Sequence, residues 1–95
     1  MDTITVKTID EIAKRGNTHV FIPNIADVKT FVNTMMGYKY SASLIKDGYI
    51  VDAKSIMGVF SLDVSKPVEL RFDTDNVALI DNVNMLKQIQ CYISE

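Results

Sequence analysis

The feature that most constrains the fold lies just after Pro67. From there the chain alternates strictly, with Val68, Leu70 and Phe72 pointing one way and Glu69, Arg71 and Asp73 pointing the other. That is the pattern of a half-buried strand, dry on one face and wet on the other. The spacing elsewhere predicts the partners it needs. His19-Val20-Phe21-Ile22 is short, apolar and ended by Pro23, which predicts a first strand over residues 19–22. Asn24 can cap a helix with Asp27 three residues on, and Ile25, Val28, Phe31, Val32, Met35 and Met36 recur at helical spacing before Gly37 stops it. Residues 40–45 and 49–53 flank Lys46-Asp47-Gly48, a hairpin signal.

Residues 54–62 read as a short helix, with Ser55 near its start and Gly58 weakening it as an isolated helix. Asp73-Thr74-Asp75-Asn76 offers caps for a final helix with the stripe Leu79, Ile80, Val83, Leu86, Ile89 and Ile93, expected to run nearly to the C-terminus. From His19 onward the order is β-α-β-β-α-β-α, an α+β arrangement suited to helices on one face of a mainly antiparallel sheet. Residues 1–18 read as an N-terminal extension to a domain over 19–95. In it, Ile4-Thr5-Val6-Lys7 is a possible strand and residues 8–15 a helical turn that Gly16 ends. A second alignment makes residues 4–9 the first strand and leaves 10–24 as an enlarged loop.

With 95 residues there is room for one core. Hydrophobic residues at 47% and charged residues at 23% are ordinary for a soluble globular chain. A net charge of -2 provides no broad cationic field, which argues against nucleic acid and an anionic membrane surface as partners. Cys91, the single cysteine, rules out an internal disulfide and, with only one histidine, leaves no zinc set; it reads as a small buried or half-buried side chain. The N-terminus lacks a signal-peptide pattern and no apolar run approaches the roughly 20 residues of a membrane span, so a cytoplasmic protein is expected. The aspartates are scattered without the close pairing of acid–base catalysis, and Gly16, Gly37, Gly48 and Gly58 match no nucleotide loop. The composition therefore predicts no enzyme, cofactor or metal.

The stretch Asp52-Ala53-Lys54-Ser55-Ile56-Met57-Gly58-Val59-Phe60-Ser61-Leu62 closely resembles the regulatory-serine segment of HPr, the phosphocarrier of bacterial sugar phosphotransferase systems. The resemblance covers about residues 19–95. It implies an open-faced β-sandwich with strand order 1-4-2-3 and three helices on one side. It makes Ser55 the position where a dedicated kinase adds phosphate at a helix start, a change of about -1.5 to -2 in charge that would alter nearby docking. The alternative reading of Ser55 is a simple helix cap. It also makes Ile56, Met57, Val59 and Phe60 the apolar patch that meets the kinase, transcription factors and phosphotransfer enzymes; the alternative is that they pack in the core.

The family's phosphocarriers carry a histidine, followed two residues later by arginine and then proline, on the loop into the first long helix. Phe21-Ile22-Pro23-Asn24 contains neither histidine nor arginine. His19 is the only histidine and reads as a strand-end residue, or, in the enlarged-loop alignment, as a phosphoryl acceptor with Arg15 and Lys14 as cations. The expectation is a non-catalytic HPr-like regulator or adaptor, with HPr kinase or a transcriptional regulator as partner. The alternatives are a phosphocarrier using His19 and a self-associating module that uses the extension or the exposed sheet.

Overall fold

The structure is a computed structural model that describes residues 6–73 and 79–94. In chain order the elements are α1 (Val6–Arg15), β1 (Asn17–Val20), α2 (Ile25–Met35), β2 (Ala42–Lys46), β3 (Tyr49–Asp52), α3 (Ile56–Phe60), β4 (Val68–Phe72) and α4 (Leu79–Gln88). A 3-10 turn, Gln90–Tyr92, follows α4. The four strands form one antiparallel sheet in the spatial order β1-β4-β2-β3. This is an α+β fold with the expected strand order, consistent with an open-faced sandwich.

The alternation after Pro67 is realised residue by residue. Val68, Leu70 and Phe72 are buried, while Glu69 is half-buried and Arg71 exposed. Pairing carries the same alternation into both neighbours: Leu70 lies between Thr18 of β1 and Leu44 of β2, all three buried. The dry face meets Val28, Phe31, Val32 and Met35 of α2 and Met85, Leu86 and Ile89 from the C-terminal region in one core. The hairpin expected at Asp47-Gly48 forms with φ of 51° and 83°, the left-handed pair that a two-residue turn between twisted strands requires. Asn24 caps α2, its side-chain oxygen accepting from the Asp27 N–H at 3.0 Å.

Several boundaries differ from the sequence reading. The first strand begins at Asn17 rather than His19 and ends at Val20, because β4 pairs with Asn17 through Val20; Phe21 leaves the ladder and donates its N–H to the Tyr92 carbonyl. Val6 and Lys7, read as strand, open α1, which Gly16 ends at φ 85°. The enlarged-loop alignment fails, since residues 6–15 are helix and 17–20 a paired strand. The residues before His19 are also built into the fold: Ile9, Ile12 and Ala13 belong to the common core, and α1 packs against α4. Ile25 and Met36, at the helical spacing of the first long helix, and Ile80, assigned to the buried stripe of the final helix, are exposed, and Cys91 is exposed rather than buried or half-buried. The final helix ends at Gln88, short of the expected length. The caps expected at Thr74, Asp75 and Asn76 lie outside the described residues, and Asp73 instead accepts from Ser43 Oγ at 2.6 Å.

Two tyrosines close the core with polar contacts. Tyr38 OH donates to Asn82 Oδ1 at 2.5 Å, joining the end of α2 to α4, and Tyr92 OH donates to Asp27 Oδ1 at 2.9 Å, joining the C-terminal turn to the start of α2. Both phenols are pushed up to about 12, Tyr38 by burial and then by the Asp81 charge, Tyr92 by burial and then by its bond to Asp27. A phenol above its ordinary value of about 10 keeps its proton in the folded state when the unfolded chain loses it. The contribution of these two groups to stability is therefore fully present below pH 10 and is lost as pH rises toward 12. Urea midpoints measured across this range should be flat and then decline, with the decline reduced in Tyr38→Phe. That variant also leaves Asn82 Oδ1 without its donor, a cost of about 1–3 kcal/mol at neutral pH. Ile12→Ala should cost about 2–5 kcal/mol in the same assay if α1 is integral to the core, and well under 1 kcal/mol if α1 is a loose appendage.

Candidate docking site

The segment from β3 into α3 is built by short-range contacts. Asp52 holds the turn from both of its ends, its carbonyl accepting from the Ser55 N–H at 3.0 Å and its carboxylate from the Lys54 N–H at 2.9 Å. Ser55 then takes extended backbone and caps α3, with Oγ accepting from the Gly58 N–H at 3.1 Å. The helix is only five residues long, too short to persist without tertiary support. Val59 provides that support: it is fully buried in the core. Gly58 lets the helix sit close to β3, since a Cβ there would lie 3.3 Å from Val51 Cβ and from the Ser55 side chain.

The candidate residues therefore divide. Met57 is 78% exposed and Phe60 is also exposed, so these two present apolar surface to solvent. Ile56 is half-buried against the core. Val59 is a correction: its side chain is inaccessible, and it anchors the helix rather than meeting a partner. Ile25, the first residue of α2, adds an exposed apolar side chain, and α2 packs against α3.

Lys54 is the cation nearest to Ser55 in the chain, and it is engaged elsewhere. Its ammonium donates to the Tyr38 carbonyl at 2.5 Å and lies 5.8 Å from the Tyr38 ring centroid. The contact ties the α3 turn to the end of α2. The Lys54 ammonium is thereby committed to the Tyr38 carbonyl.

His19 sits within β1, opposite Glu69 of β4. Its neighbours Thr18 and Val20 point into the core, so strand alternation turns the imidazole to the opposite, open face of the sheet, away from the capped start of α2. It borders a shallow concavity with Arg15, Asn17, Thr18 and Glu69. Arg15 Nε donates to both the carbonyl and the side-chain oxygen of Asn17, at 3.0 and 2.9 Å. The histidine and the helix N–H groups that a phosphoryl group would need together are thus on different faces. Among the described residues there is no cluster of three histidine, cysteine or acidic side chains able to hold a metal, and no helix long and apolar enough to cross a membrane.

The sequence reading missed Tyr49 and Ile50, which are 72% and 60% exposed on β3. The signal was present: two large side chains directly after the Asp-Gly turn. No family model matches the sequence, and no curated protein or solved structure does either.

Removing the Ser55 hydroxyl should act first on α3. Ser55→Ala is expected to cost about 1 kcal/mol through the lost cap, whereas Ser55→Asp, which can still accept from the Gly58 N–H, should cost less. Paired urea titrations of the two variants check this ordering.

Proposed function

We propose that this chain is a non-catalytic, cytoplasmic HPr-like protein of bacterial type, a regulator or adaptor that docks protein partners through α3 and is controlled by phosphate on Ser55. The observation that carries the reading is Met57, 78% exposed on a helix whose opposite side is fixed by the buried Val59. A flexible thioether on a rigid support suits a surface that meets partners of differing shape. The strand order and the place of the Ser55 cap at the start of α3 support the same reading.

The control follows from electrostatics. Phosphate on Ser55 would bring about -1.5 to -2 charge beside the exposed apolar pair Met57 and Phe60. With Lys54 held at the Tyr38 carbonyl, that charge would be offered outward to a partner. A partner with an apolar groove and a bordering arginine or lysine would bind the modified form more tightly, and one lined by acidic groups would be repelled. HPr kinase and a transcriptional regulator are the partners this reading names.

The test is incubation of the protein in parallel with HPr kinase plus ATP and with the general phosphotransferase enzyme plus phosphoenolpyruvate, followed by intact mass and site mapping. Acid-stable phosphate on Ser55 alone is the expected result. Acid-labile phosphate on His19 would replace the proposal with a phosphocarrier, and no modification by either enzyme would remove the link to sugar transport. Met57→Glu should reduce phosphorylation of Ser55 by the kinase at least about tenfold, through the lost docking contact, without shifting the melting temperature.

A further inference from the structure

The two edges of the sheet are finished differently. The β1 edge is occupied by the chain's own C-terminal residues: Ile93 bridges to Val20, the Ser94 N–H donates to the His19 carbonyl at 2.8 Å, and the Phe21 N–H donates to the Tyr92 carbonyl at 2.8 Å. The β3 edge has no strand beside it among the described residues. Native edges are commonly protected by proline, bulges or inward charges. Residues 49–52 hold no proline, and their register against β2 runs without a bulge.

The hairpin geometry determines which groups that edge offers. In a two-residue hairpin the closing pair, Lys46 and Tyr49, is the hydrogen-bonded kind, and bonded and non-bonded pairs then alternate. The Ala53 N–H bond to the Ala42 carbonyl, at 3.0 Å, fits this alternation. Ile50 and Asp52 therefore turn their backbone groups outward. The Asp52 carbonyl already accepts from Ser55, which leaves both backbone groups of Ile50 and the N–H of Asp52 facing the edge.

We infer that β3 pairs antiparallel with β3 of a second copy of this chain, about a twofold axis at Ile50, joining two four-stranded sheets into one of eight strands. The choice of partner and register rests on self-complementarity. Centred on Ile50, the pairing sets Ile50 against Ile50, Tyr49 against Val51, and Asp52 against Gly48, so no like charges meet. Centred on Asp52 it would oppose two carboxylates, and centred on Val51 it would set each Ile50 against an Asp52. The open face agrees: the cross-strand row His19, Glu69, Ile45, Ile50 is polar at the β1 end and apolar at the β3 end. Head-to-tail growth through β1 is blocked by the C-terminal residues, so the assembly closes as a dimer. One short strand per copy is a small interface, which makes the dimer weak and concentration-dependent. Met57 and Phe60 take no part in the pairing, and it stands or falls apart from the docking role of α3.

Sedimentation equilibrium of the full chain across a wide concentration range tests this. The wild type should show a reversible monomer–dimer equilibrium. Ile50→Lys, at an exposed position, should weaken it at least about tenfold with an unchanged melting temperature. In a Cys91→Ser background, Ile50→Cys should form a disulfide-linked dimer on mild oxidation, because bonded antiparallel pairs place their Cα atoms about 5.5 Å apart. Met57→Cys in that background should not. A wild type monomeric throughout overturns the pairing and leaves the edge to a foreign extended segment or to none. Dimerisation unaffected by Ile50→Lys, or equal cross-linking through residue 57, overturns it as well.

Discussion

The structure depends on β4 being inserted between β1 and β2. It is the last strand among the described residues and, with β2, one of the two inner strands; through it Leu70 joins β1 to the β2–β3 hairpin, two parts of the sequence otherwise unlinked in the sheet. Nearly every other feature follows from that insertion. The hairpin β2–β3 can form locally, but its dry face is not continuous with β1 until β4 arrives. Folding must therefore close a long loop before its most buried contacts are made, which favours slow, cooperative formation over stepwise growth. The C-terminal residues then complete the sheet by lying along β1, and Tyr92 reaches across to Asp27.

Around this frame, polar contacts hold the helical layer where burial alone would leave it loose. Tyr38 is the meeting point: its hydroxyl binds Asn82 on α4, its carbonyl accepts from Lys54 before α3, and its ring meets Phe72 with centroids 5.0 Å apart. No buried side-chain nitrogen or oxygen among the described residues lacks a partner. A five-residue helix such as α3 is stable only within such a setting. Its exposed Met57 is thus presented by the whole end of the domain, through Val59 below and Lys54 beside it.

The fold was legible in the sequence wherever one signal dominated. The alternation of Val68, Leu70 and Phe72, the Asp47-Gly48 turn and the Asn24 cap each have a local cause, and each is found where the residues indicate. What was illegible depends on tertiary contact. Ile25, Met36 and Ile80 sit at helical spacing from buried neighbours but fall at the margins of the covered stripe, and periodicity does not reveal where cover ends. Asn17 lacks strand character of its own and is drafted into β1 by its pairing with Arg71 of β4. At the candidate site, the capping role of Ser55 could be read from its place before an apolar turn. The division of α3 into a buried Val59 and an exposed Met57 could not, since both are apolar and two residues apart.

The β3 edge and α3 are in direct contact, and this would give the proposed dimer a functional consequence. Antiparallel strands of one sheet are related by an axis perpendicular to it, so pairing through β3 keeps both helical layers on one side. Because α3 packs directly against β3, the two α3 helices would flank the axis. A partner that is itself twofold symmetric would meet two Met57 side chains at a fixed spacing, and its second contact would form at the high effective concentration set by that geometry. Weak pairing and modest docking would then reinforce one another, with the partner stabilising the dimer by the same factor by which the dimer strengthens binding.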